Sequence, residues 1–224
     1  MARVNSKKKP YPEPERLSFP DAEAAFDWLP LILDAYIISD QGIYDSIQKE
    51  MAKKGRRLAC ARGCSSCCTT HVTIPVYPLE LFGLYWYLLD KIDGAFKHRI
   101  LEQLQDFIPG KGCPFLIDGA CGIHPMRPMA CRFFNVFNKA CEDGEDPFYT
   151  RRHDVLTPDE KLKDKAISKM LPHHGILGRT DKKEALRNGY IYRFVRNLQE
   201  INWPKIAVRI KHGDRAPLVR STME

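Results

Sequence analysis

Eight cysteines stand at positions 60, 64, 67, 68, 113, 121, 131 and 141 of a 224-residue chain, and none lies outside that stretch. The first four are crowded together as Cys60-x3-Cys64-x2-Cys67-Cys68. Gly63, Ser65 and Ser66 between them let the backbone curl so that several sulfurs face one point. Small residues also leave amide groups free to point at sulfur, which tunes a metal centre. Adjacent side chains rarely point the same way, so Cys67 and Cys68 are not expected to serve one ion equally.

How to read these thiols depends on the compartment. The first ten residues carry positive charge but no apolar stretch behind it, so no signal peptide is expected. The apolar run at 81–89 is far too short for a membrane span, and Asp34 interrupts the run around 28–38. A soluble, cytoplasmic protein is expected. Thiols stay reduced there and structural disulfides are rare, so eight cysteines read as metal ligands or redox groups. Hydrophobic residues make up 44 % and charged residues 28 %, enough to build a core without disulfides.

The flanking sequence predicts a mainly α fold: a helical domain around a small irregular cysteine-rich metal site, with a short β-hairpin. Residues 1–17, with Pro10, Pro12 and Pro14, read as a flexible arm. Residues 18–150 read as the helical metal-binding domain, and 151–224 as a basic helical extension packed on it. A helical stretch from Ser18 is split at Pro30 and stops at Gly55. Residues 71–77 suit a short edge strand, and Pro78 suits the first turn of a helix reaching about Leu89. A further helix spans about 95–107. Asp118-Gly119 is a strong hairpin signal between Cys113 and Cys121, so strand pairing brings these two cysteines near each other. A short helix follows from Pro128 to Phe134. Thr157-Pro158-Asp159-Glu160 opens another, with Thr157 as its cap. The last helix is expected at about 182–201, stopped near Pro204.

The second half of the site is therefore the hairpin plus Cys131. Arg127 and Arg132 flank Cys131 and are expected to favour its thiolate and offset the charge of a thiolate-rich cluster. His71 and His124 suit capping or hydrogen bonding better than ligation, and His173-His174 lies far from the cysteines in sequence. Cys141 reads more readily as a small buried hydrophobe.

Net charge is +7, and it is uneven. Residues 151–224 carry 17 Lys and Arg against 9 Asp and Glu. The plain reading is a solvated helix surface; the alternative is a face for a protein partner or polyanion. No Gly-rich phosphate loop, Ser-His-Asp order or paired-carboxylate motif stands out.

Three separated motifs then carry a resemblance. Cys60-x3-Cys64-x2-Cys67-Cys68, Cys113-Pro-Phe-Leu, and Cys121-x-Ile-His-x-x-Arg127-Pro128-x-x-Cys131-Arg132-x-Phe134 occur in order. Over about 58–141 the chain resembles the YkgJ-type cysteine-cluster family, a zinc- or iron-chelating domain, with His124 where that family usually has an aromatic residue. The resemblance implies metal binding, and it does not imply one reaction.

The expected ligands are Cys60, Cys64, Cys67, Cys68, Cys113, Cys121 and Cys131. All-thiolate ligation suits an iron–sulfur cluster or zinc, and the irregular spacing with more than four thiols favours a 4Fe-4S cluster. The alternatives are a structural zinc-binding interaction protein and a cluster-dependent, methyltransferase-like enzyme using S-adenosylmethionine. A similar motif occurs in the larger flagellin lysine methylases of the FliB type. Radical S-adenosylmethionine enzymes share the C-x3-C-x2-C spacing, but they resemble a barrel of strand–helix repeats that this sequence lacks.

Overall fold

The structure, a computed structural model, describes residues 12–61 and 63–216. Most of the expected arm lies outside the described residues. Its end is held in place: Arg16 pairs with Glu23 at 2.8 Å and with Asp34 at 2.9 Å.

The fold is mainly helical, as the sequence predicts. Helix α1 (Pro20–Ala25) is followed by a break and then by α2 (Leu29–Lys54), with Pro30 in its first turn. Proline suits that turn because the first amides of a helix have no internal partner. Helix α2 stops where Gly55 takes φ 63°, the left-handed conformation that glycine enters without penalty. Ile32, Tyr36, Ser39, Ile43 and Ile47 recur at helical spacing along its buried face, which packs on α8 (below).

The first cysteines precede and enter a single turn, α3 (Ser66–Thr70). Strand β1 (Pro75–Val76) leads into α4 (Pro78–Asp90), with Pro78 in its first turn, and α5 (Gly94–Gln105) follows. The hairpin forms where expected. Strand β2 (Leu116–Ile117) pairs antiparallel with β3 (Ala120–Cys121), placing Leu116 opposite Cys121. Asp118 and Gly119 both take positive φ, 50° and 75°, as the tight hairpin turn requires. Helix α6 (Met129–Phe133) carries Cys131, and α7 (Pro147–Thr150) follows.

The C-terminal third departs from expectation. Helix α8 (Glu160–Met170) is capped by Asp159, not Thr157: its Oδ1 accepts from Lys161 N at 2.9 Å and Leu162 N at 3.2 Å. A carboxylate beside the positive end of the helix outcompetes a hydroxyl two residues upstream. The single helix expected over 182–201 is instead α9 (Arg179–Arg187), a 3-10 turn, and strand β4 (Arg196–Asn197). Gly189, at φ 62°, turns the chain after α9. Pro204 starts a helix instead of stopping one. In α10 (Trp203–Lys211), Asn202 Oδ1 accepts from Lys205 N, and Pro204 occupies the first turn.

Strand β4 pairs antiparallel with β1, Pro75 opposite Asn197 and Val76 opposite Arg196. Helix α10 lies against α5. One hydrophobic core extends from Leu29 to Ile210, with a smaller cluster of Ile43, Ile47, Phe137 and Leu156. Among the described residues no helix is long and apolar enough to cross a membrane.

Candidate metal centre

All eight cysteines are free thiols, and Cys64 is the exposed one. The fold brings both sequence halves together. The Cys113 amide donates to the Cys68 carbonyl at 2.7 Å, which ties the start of the hairpin to α3. The Cys67, Cys68 and Cys113 thiols form a hydrogen-bonded run. Cys131 lies within charge-interaction range of Cys67, Cys121 and Cys68. Cys60 stands in the same relation to Cys64, Cys67 and Cys141. Cys67 is the sulfur common to both groups.

Cys67 and Cys68 both lie within charge-interaction range of Cys131. Cys141 is not isolated: it joins the Cys60–Cys64 edge, with Arg151 and Glu145 beside it. No spacing rule placed it there, because a long irregular segment separates it from Cys131.

The expected effect of arginine on Cys131 is overturned. Burial, followed by the neighbouring thiols, pushes the Cys131 thiol well up, and Arg127 only partly opposes this. Arg132 spends its charge elsewhere: Asp40 accepts from it at 2.6 Å, and the carbonyls of Pro125 and Arg127 at 2.5 and 2.9 Å. Cys60 is likewise pushed up to about 11, mainly by burial, and Cys68 to about 12, chiefly because it donates to Cys113. In the metal-free chain these two sulfurs therefore carry protons at neutral pH, and a metal must displace them.

Among the described residues no three or more His, Cys, Asp or Glu side chains are grouped so that they could hold a metal ion. The donor chemistry nevertheless fits a metal or cluster. Amides point at sulfur, though from other segments than the small residues at 63–66: Val136 N at Cys60 Sγ (3.3 Å) and Phe115 N at Cys113 Sγ (3.5 Å). Ile123 N serves Cys121. Arg127 Nε is buried with no hydrogen-bond partner, while its charge favours the thiolates of Cys67, Cys121 and Cys131. An orphaned cationic donor facing neutral thiols is costly, and a negatively charged metal–thiolate centre would satisfy it.

The histidines are peripheral to this set. His71 packs its ring edge on Phe134 at 4.2 Å and lies 3.2 Å from Asp146; burial lowers its pKa, and Asp146 partly opposes this. Burial, followed by Arg127 and Arg132, lowers His124 in the same way. His173 and His174 belong to an aromatic cluster with Phe82, Tyr190 and Phe194.

Sequence reasoning missed Glu80, which supports the site from below. It is fully buried on α4. Its carboxyl accepts from Tyr77 N at 2.9 Å and from Met129 N at 2.7 Å, so it caps α4 and holds the start of α6 two residues before Cys131. Burial raises it to about 7 despite those donors and the charge of Arg132. Because the folded value lies above the ordinary 4.5, its contribution to stability is fully present below pH 4.5 and is lost as pH rises through about 7. Infrared spectra should therefore show a protonated-carboxyl band that fades as pH rises through about 7 and is absent from Glu80→Gln. A band unchanged across that range in the wild type would refute the assignment.

Comparison with known proteins agrees with this chemistry. A family model, CxxCxxCC, described as "Putative zinc- or iron-chelating domain", matches residues 59–155. Over that stretch the chain is similar to this family, the class to which its cysteine pattern pointed. No curated protein and no solved structure matches the chain.

Proposed function

We propose that this chain is a cytoplasmic protein holding a 4Fe-4S cluster on thiolates from both halves of the site. The ligands are drawn from Cys60, Cys64, Cys67, Cys68, Cys113, Cys121 and Cys131, with Cys67 at the centre. The reading is supported by Cys67 lying within charge-interaction range of Cys60, Cys68, Cys121, Cys131 and Cys141, and by the buried, unpartnered Arg127, whose charge favours the thiolates of Cys67, Cys121 and Cys131. A structural zinc site closes with four ligands, whereas cluster potentials are tuned by N–H···S bonds and nearby charge of this kind. When bound, such a cluster supplies one-electron chemistry. The chain's own residues hold the sulfurs, exclude water and balance charge.

Anaerobic purification with visible absorption and analysis of iron, sulfide and zinc tests the reading. A brown protein with about four iron and four sulfide per chain is expected for such a cluster. A colourless protein with stoichiometric zinc would replace the cluster with a zinc site.

A partner face is proposed on the C-terminal third. Arg179, Lys182 and Lys183 line a groove of about 330 Å³ beside Ser168 and the exposed Leu177. These three cationic side chains have no hydrogen bond or ion pair to another described residue, as suits an acidic protein segment. The double variant Lys182→Glu, Lys183→Glu is expected to lose at least tenfold in affinity for a polyglutamate probe measured at low salt. Unchanged affinity, or no affinity in the wild type, would remove this face.

A further inference from the structure

The C-terminal third contains a residue aimed at the cysteine site from outside the matched domain. Gln199 follows β4 in a 3-10 turn and is 2 % exposed. Its Oε1 accepts from Gly110 N at 3.0 Å. Its Nε2 donates to the Gly112 carbonyl at 2.8 Å and to the His71 carbonyl at 3.3 Å. These three partners fix which way the amide faces, since the oxygen must meet the N–H and the nitrogen the two carbonyls.

Those partners belong to both halves of the site. The His71 N–H closes the turn of α3 on the Cys67 carbonyl, so the His71 carbonyl marks the end of the Cys67–Cys68 turn. Gly112 shares its peptide unit with Cys113. The C=O of that unit takes Gln199, and its N–H gives to the Cys68 carbonyl. Gly112 itself sits at φ 93°, and a side chain there would meet the Cys68 carbonyl at 3.3 Å. The Gly112–Cys113 peptide is therefore gripped on both sides, by Cys68 and by Gln199.

Neighbouring residues tie down the segment that carries Gln199. Leu198 N donates to the Ile74 carbonyl at 2.8 Å. Asn197 accepts from Ile74 N at 3.1 Å and donates to the Val72 carbonyl at 2.9 Å. Trp203 donates to the Leu198 carbonyl and stacks edge-on against Phe115 at 4.8 Å.

We infer that Gln199 is a positioning residue of the cysteine site: residues 196–200 form a strap that sets Cys113 against Cys68. The CxxCxxCC match ends at residue 155, so in this chain the site is completed from outside the domain. Only the metal readout below rests on the proposed metal centre.

Gln199→Leu keeps the side-chain volume and leaves one buried and two part-buried backbone groups without their partner. Ile167→Val, a core change in α8 away from the strap, controls for general loss of stability. The first readout uses the full metal-free chain: iodoacetamide labelling mapped by mass spectrometry. Gln199→Leu is expected to raise labelling at Cys68 and Cys113 at least fivefold relative to Cys131, with the control within twofold of wild type. The second readout is release of bound metal to a chelator, expected to be at least tenfold faster in Gln199→Leu only. If Gln199→Leu is recovered only unfolded, Asn197→Ala slackens the same strap and carries the comparison. Equal behaviour of strap and control variants in the labelling overturns the inference. A wild-type chain that binds no metal would sink the proposed function while the labelling still decides the role of Gln199.

Discussion

Replacing Cys67 by serine is expected to strip the chain of stoichiometric metal and of most of its stability together. Cys67 is the sulfur that both groups of cysteines share, in charge range of Cys60, Cys68, Cys121, Cys131 and Cys141. A hydroxyl is a poor ligand for iron or zinc beside thiolates, so the remaining sulfurs would have to rearrange around a gap. In sites of this kind, binding energy is folding energy, on the order of 10 kcal/mol for a structural metal at neutral pH. The chain here has its own core, so it is not expected to unfold outright. Its thermal midpoint should fall to that of the chelator-treated wild type, and further chelator should have no effect. Cys141→Ser, on the rim, should keep more metal than Cys67→Ser. A Cys67→Ser protein with full metal content and wild-type midpoint would remove Cys67 from the centre.

What the sequence made legible was local. Gly55, Pro78 and Asp118-Gly119 act within one turn of themselves, so composition and spacing sufficed to place the end of α2, the start of α4 and the hairpin. Pro204 shows the limit of such rules, since proline either follows a helix or opens one. The deciding signals were present: Asn202 as a cap, then Trp203, Ile206, Ala207 and Ile210 at helical spacing. The supports of the site were not legible, because each joins distant segments. Glu80 reaches Met129, Gln199 reaches His71 and Gly112, and Arg132 reaches Asp40. A buried polar side chain is chosen by the backbone groups it must satisfy, and those are known only once the chain has folded. Charge reasoning failed at Cys131 for a related reason. Adjacency to two arginines suggested an easily ionised thiol, but burial outweighs Arg127, and Arg132 is committed to other partners.

That commitment of Arg132 leads to the second large effect. Its guanidinium is 5 % exposed and stacks over the Tyr36 ring at 4.0 Å. It bridges Asp40 on α2 to the carbonyls of Pro125 and Arg127, which shape the turn before α6. Arg132→Ala leaves a largely buried carboxylate without its cation and two carbonyls without a donor. Breaking such a pair from one side costs about 3–5 kcal/mol, because the stranded charge keeps its desolvation penalty. Asp40, already raised by burial, should then rise further and take up a proton. Lysine should recover little, since a single ammonium cannot span three acceptors in a planar fork or stack on Tyr36. Arg132→Met with Asp40→Leu should be less destabilised than Arg132→Ala, because it removes both charges. Denaturant unfolding of the metal-free proteins measures all three without reference to the metal. A loss under about 1 kcal/mol for Arg132→Ala would mean that the bridge is worth no more than a surface pair, and that α6 is held by Glu80 and packing alone.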